Sequence, residues 1–76
     1  MIFTCDVPYL DSYNPSTIEF TIEKENGRMG YASMKMEETE YSYILSNNVY
    51  TATIDKSTRQ ITLVFLGVNI TKGNCK

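Results

Sequence analysis

Apolar and polar residues alternate most strictly between Tyr41 and Leu66, and the alternation there pairs with itself through two readable turns. With Asn47-Asn48 as a two-residue hairpin turn, Leu45 faces Tyr50, Tyr43 faces Ala52 and Tyr41 faces Ile54. With Lys56-Ser57-Thr58-Arg59 as a four-residue loop closed by Asp55 and Gln60, Tyr50 faces Phe65, Ala52 faces Leu63 and Ile54 faces Ile61. Both turns send the apolar residues to the same side, which defines a three-stranded meander with one dry face.

The rest of the chain follows the same period. Ile2 to Val7 reads as a strand with Phe3, Cys5 and Val7 on one face, ended by Pro8. Tyr9 to Ser16 is rich in turn formers (Asp11, Ser12, Asn14, Pro15) and reads as a connecting loop that lays Tyr9 and Tyr13 over the edge of the core. Thr17 to Lys24 alternates with Ile18, Phe20 and Ile22 inward. A plain Asn26-Gly27 turn would set Ile18 against Lys35. A three-residue loop Glu25-Asn26-Gly27, with Gly27 left-handed, instead sets Ile22 against Gly30, Phe20 against Ala32 and Ile18 against Met34, and that register is expected. Met36 to Glu40 breaks the alternation and reads as a crossing, a loop or a single helical turn. After Leu66, Gly67 marks a bulge or corner before a short terminal strand, with Lys72-Gly73-Asn74 turning Cys75 back towards Cys5. No stretch has the spacing of a real helix. The expected fold is all-β: a single domain over residues 1–76, an antiparallel sheet of six or seven strands built from hairpins and curled or closed into a small barrel.

A chain of 76 residues sits near the lower limit for a self-sufficient core, so a covalent staple would help it. Cys5 and Cys75 lie near opposite ends, and neither has metal-ligand or C-x-x-C spacing. A bridge between them would tie the termini together, which a small sheet with neighbouring terminal strands permits. Two free thiols in a cytosolic protein are the alternative. The start at Met1 leaves the same choice open: a native cytosolic start, or the mature part of a secreted or periplasmic protein. Met1 to Val7 has neither the basic start nor the apolar stretch of a signal peptide, and no run is long enough to span a membrane.

Composition narrows the function. Net charge is −2, and the cations Lys24, Arg28, Lys35, Lys56, Arg59, Lys72 and Lys76 are dispersed, so nucleic acid is not an expected partner. The chain has no histidine, neither cysteine has an activating neighbour, and Glu19, Glu23, Glu37, Glu38 and Glu40 fall at solvated positions. The run Glu37-Glu38-Thr39-Glu40 lacks calcium-loop spacing. The reading is therefore no catalytic residues, no cofactor and no metal. Asn69-Ile70-Thr71 matches the N-glycosylation pattern, which is common by chance and carries no weight here.

What remains is surface. Tyr31 is expected on the polar face opposite Thr21, forming with Met29 a small apolar spot. Val49, Val64 and Leu66 share the outer face of the second hairpin and would be wet unless a partner or a second copy covers them. Met29, Tyr31, Glu37, Glu38, Glu40, Val64 and Leu66 are the expected partner-contacting residues. The cysteine near each end and the terminal Gly73-Asn74-Cys75 resemble those of short mature secreted or lipid-anchored bacterial proteins, among them the periplasmic inhibitors of c-type lysozyme. That resemblance rests on cysteine placement and strand content. It implies an extracytoplasmic disulfide, while the inhibitory loop of that group, with its serine and basic residue, has no counterpart here. The expectation is a non-catalytic interaction domain with a protein partner and a homodimer through the exposed sheet face as an option. The alternative is an intracellular inhibitor or accessory protein encoded by a phage or mobile element.

Overall fold

Eight antiparallel strands, rather than six or seven, close into a barrel in sequence order in the computed structural model, which describes residues 1–8 and 15–76. They are β1 (Ile2–Pro8), β2 (Pro15–Ile22), β3 (Asn26–Met29), β4 (Ala32–Glu38), β5 (Ser42–Ser46), β6 (Tyr50–Asp55), β7 (Gln60–Phe65) and β8 (Asn69–Cys75). The expected placement of Tyr9 and Tyr13 lies outside the described residues. Pro15 and Ser16, expected in the loop, already pair with Pro8 and Val7.

The alternation works as the sequence indicates. Phe3, Cys5 and Val7 from β1, Phe20 and Ile22 from β2, Met34 and Met36 from β4, Leu45 from β5, and Ala52, Ile54, Ile61 and Leu63 from β6 and β7 fill the interior. Ile18, Met29, Tyr43 and Tyr50 are partly buried and pack against this core. The β6–β7 register is the expected one, with Tyr50 opposite Phe65, Ala52 opposite Leu63 and Ile54 opposite Ile61. Asp55 shapes the intervening loop, its Oδ1 accepting the N–H groups of Ser57 and Thr58 at 2.8 Å each.

Other turns differ from expectation, and each difference has a local cause. Leu45 faces Ala52 and Tyr43 faces Ile54, so the β5–β6 turn is Asn48-Val49 and not Asn47-Asn48. Asn47 is the residue before the turn, and its side-chain Oδ1 accepts the N–H groups of Val49 and Tyr50 at 2.9 and 2.8 Å. The shift moves the pairing by two positions, so the inward face survives while Tyr41 slides out of the core to 70 % exposure.

Gly27 is not a left-handed turn residue. Ile22 pairs with Gly27 and Phe20 with Met29, which makes Asn26–Met29 a strand of its own between the turns Lys24-Glu25 and Gly30-Tyr31. A Cβ on Gly27 would stand 2.5 Å from Leu45 Cδ2 and 2.7 Å from the Thr21 carbonyl, so this glycine serves close packing. The left-handed glycine is Gly30, at φ 60°. Met36 to Glu38 is not a crossing, because β4 runs through it and turns at Glu40-Tyr41, where Ser42 N–H donates to Thr39 Oγ1 at 3.0 Å. Lys72-Gly73-Asn74 is likewise no turn; β8 pairs with β7 from Asn69 to Asn74 and carries Cys75 directly opposite Cys5.

The barrel closes there. Among the described residues β1 and β8 pair at Cys5↔Cys75 and Asp6↔Asn74, against seven positions between β1 and β2 and six between β7 and β8. The sulfurs of Cys5 and Cys75 sit at bonding distance, 2.05 Å, with both residues buried. Gly73 lets β1 cross closely, since a Cβ there would run into the Asp6 carbonyl oxygen.

Candidate functional site

In an up-and-down barrel successive turns alternate between the two ends, and among the described residues that separates charged turns from uncharged ones. One end carries Lys24-Glu25, Glu40-Tyr41 and residues 56–59. Glu38 reaches Lys56 there, carboxylate to Nζ 2.6 Å, while Lys56 Nζ also lies 4.9 Å from the Tyr43 ring centre. The Asp55 carboxylate in the same region is held below its ordinary pKa by the Thr58 and Ser57 N–H groups it accepts.

At the opposite end, the described turns are Gly30-Tyr31, Asn48-Val49 and Leu66-Gly67-Val68, none with a charged residue. Tyr31, Val49, Leu66, Val68 and nearby Ile70 are all exposed, from 40 % at Val49 to complete at Tyr31. Below the turns, Thr51, Val64 and Ile70 form a continuous cross-strand row on the outer wall. Leu66 N–H donates to the Val49 carbonyl at 2.8 Å, which ties the two neighbouring turns together.

Leu66 stands out twice. It is a large apolar side chain 59 % exposed, and its φ of 53° puts a residue with a branched side chain in the left-handed region. Each feature opposes local preference, the first through hydration and the second through steric crowding of the Cβ. Departures of that kind cluster where a surface has a task beyond folding.

The sequence-predicted residues divide accordingly. Val64 and Leu66 come together with Val49 as expected. Sequence reasoning overlooked Val68 and Ile70, although both continue the outward parity of Val64 and Leu66 across the Gly67 turn. Met29 and Tyr31 form no joint patch: Met29 packs on the core, whereas Tyr31 projects from the turn, and the residue opposite Thr21 is Arg28. Glu37, Glu38 and Glu40 lie towards the charged end, and Glu38 is engaged by Lys56. Among the described residues no group of metal-ligating side chains converges, and no helix is long and apolar enough to cross a membrane. Shallow hollows occur on the wall, one between β4 and β5 lined by Ser33, Lys35, Ser46, Asn47 and Asn48. No family model, curated protein or solved structure matches the chain.

Proposed function

We propose that this barrel is a non-catalytic interaction domain that holds a protein partner against the end where the described turns are uncharged, with Leu66 at the centre of the contact and Val49, Val64, Val68 and Ile70 around it. The observation that carries this reading is Leu66 itself, exposed and in a left-handed conformation, in a turn where Asn or Gly would be both more soluble and less strained. Binding at the surface is favoured over chemistry because the barrel interior is filled by side chains and the chain has no histidine. The cysteine pair at bonding distance supports an oxidising location, periplasmic or secreted.

Two measurements test the reading. Native chain alkylated in its source without reductant should show no modified cysteine; modification of both would return the protein to the cytosol. Chain immobilised in its oxidised form should retain a partner that a Leu66→Asn, Val68→Ser variant releases. Identical retention by the two forms would remove the uncharged end from the function.

A further inference from the structure

Two turns at the charged end enclose a hollow that the contact around Leu66 does not use. Its volume is about 230 Å³, and Glu40, Tyr41, Asp55, Lys56 and Ser57 line it. The β4–β5 turn and the β6–β7 loop are held at a fixed spacing there, since Lys56 N–H donates to the Tyr41 carbonyl at 2.9 Å. Tyr41 shares the strand parity of the inward-facing Tyr43 and Leu45, yet its ring stays 70 % exposed. Lys56 stands over Tyr43 instead, its Nζ 4.9 Å from that ring centre and 2.6 Å from the Glu38 carboxylate. Glu38 thereby neutralises Lys56 and leaves Glu40 and Asp55 as excess negative charge beside an open aromatic face. Every cation of the chain lies among the described residues, and neither of these carboxylates has one at ion-pair distance. Asp55 is fixed in place, because its Oδ1 accepts the Ser57 and Thr58 N–H groups, while among the described residues its Oδ2 accepts none.

We propose that this hollow receives the guanidinium group of an arginine side chain from another protein, stacked on the Tyr41 ring and hydrogen-bonded to Asp55 and Glu40. This goes beyond the function proposed above, since it concerns the other end of the barrel and stands or falls without Leu66. An aromatic face between two unpaired carboxylates selects a cation, and among the described residues no group of metal-ligating side chains converges, so the cation is organic. A guanidinium fits better than an ammonium: it is planar, it stacks on a ring with one face, and its fixed fork of N–H donors reaches two carboxylates at once. The hollow is smaller than the roughly 300–1,000 Å³ of small-molecule sites, which suits one side chain of a larger partner. It also holds no unengaged cation for the carboxylate of a free amino acid, because Lys56 is already paired with Glu38. Cation–π contacts and ion pairs are each weak at exposed positions, so a single arginine binds in the millimolar range and weakens as salt is raised.

The test titrates the full oxidised chain with N-acetyl-arginine amide and follows backbone amide shifts, with sodium chloride at matched ionic strength as the blank. Saturating shifts should be confined to the two turns, at Glu40, Tyr41, Asp55, Lys56 and Ser57. Tyr41→Leu should weaken the binding about two- to fivefold, and Glu40→Gln about two- to threefold. N-acetyl-lysine amide should bind at least about threefold more weakly than the arginine compound. The proposal is overturned if no saturation is reached by about 100 mM, or if sodium chloride alone produces the same shifts. Equal binding by the Tyr41→Leu chain, or by the lysine compound, overturns it as well. Free arginine bound more than about tenfold tighter than the blocked form would make the ligand a small molecule and not a partner's side chain. Should a variant fail to fold, the place and saturation of the shifts in the unmodified chain decide the matter.

Discussion

Reducing the Cys5–Cys75 bond should remove much of what keeps the barrel folded. The bond closes a loop with a sequence separation of 70 residues. In the chain-entropy description, a loop of that length restricts the unfolded chain by an amount worth about 4.4 kcal/mol at room temperature. A domain of this size has a total stability of roughly 4–11 kcal/mol, so reduction takes away somewhere between two fifths and all of it. Among the described residues the native side offers little to compensate, because β1 and β8 share two paired positions there. Far-UV circular dichroism through a guanidinium titration, with and without a phosphine reductant, reads the effect directly. With a slope of about 2 kcal/mol/M for a small domain, the midpoint should fall by about 2 M. The thermal midpoint should drop by roughly 20–35 °C. Reduction is a cleaner perturbation than replacing both cysteines, since Cys5 is fully buried and its truncation would also open a void. A midpoint that moves by less than about 0.5 M with an unchanged slope would refute the reasoning, for the unfolded ends would then already be held together without the bond.

Gly27→Ala places a methyl group against Leu45 and the Thr21 carbonyl and should destabilise by about 1–3 kcal/mol, measured by urea unfolding. Gly30→Asn, with open space around the position and a residue tolerant of positive φ, should change stability by less than about 0.5 kcal/mol in the same assay. Leu66→Asn should raise stability by about 0.5–1 kcal/mol by relieving its left-handed φ, even as it weakens partner retention; a loss of stability would mean that the leucine supports the fold. Asp55 has a folded pKa below its unfolded value of 3.8, so the stability it contributes is full above that value and is lost as pH falls through the folded pKa. The gap in urea midpoint between the native chain and Asp55→Ala should therefore be largest above pH 5 and shrink towards pH 2. A gap independent of pH would show that the Ser57 and Thr58 contacts do not depend on the carboxylate charge.

The inward face of the barrel was legible because a period of two is robust to errors of two. Placing the β5–β6 turn one residue early moved every partner but left Leu45, Ala52 and Ile54 inside. The β2–β4 region failed for a different reason. Asn26-Gly27 carries the strongest local hairpin signal in the chain, yet Gly27 is there because Leu45, from another hairpin, leaves no room for a Cβ. That constraint is tertiary and cannot be seen from neighbouring residues. The turn was carried instead by Gly30, which looked like a small residue in a strand, and with it went the predicted position of Tyr31. For the candidate surface, Val64 and Leu66 were readable from parity alone. Val68 and Ile70 needed knowledge that β8 runs straight beside β7, and the separation of charged from uncharged turns among the described residues needed the closed topology.

One strand joins the features on which stability and the proposed contact depend. β8 supplies Cys75 to the closing bond, Gly73 to the close crossing of β1, and Ile70 to the exposed apolar end. It pairs with β7 at six positions and, among the described residues, with β1 at two, so opening along the seam to β1 should be checked at the disulfide. Breaking the bond leaves the described part of the seam to β1 resting on two paired positions and the Lys76 N–H to Thr4 carbonyl bond, while β7 keeps its six paired positions with β8. Loss of the disulfide should then loosen Ile70 and Val68 before the β5–β7 meander, whose strands keep partners on both sides. A reduced chain would lose partner binding at denaturant concentrations where Leu45 and Ile54 remain packed. Simultaneous loss of both, followed by Tyr43 and Tyr50 fluorescence and by binding, would mean that the barrel opens as one unit and that the bond guards the core as directly as the surface.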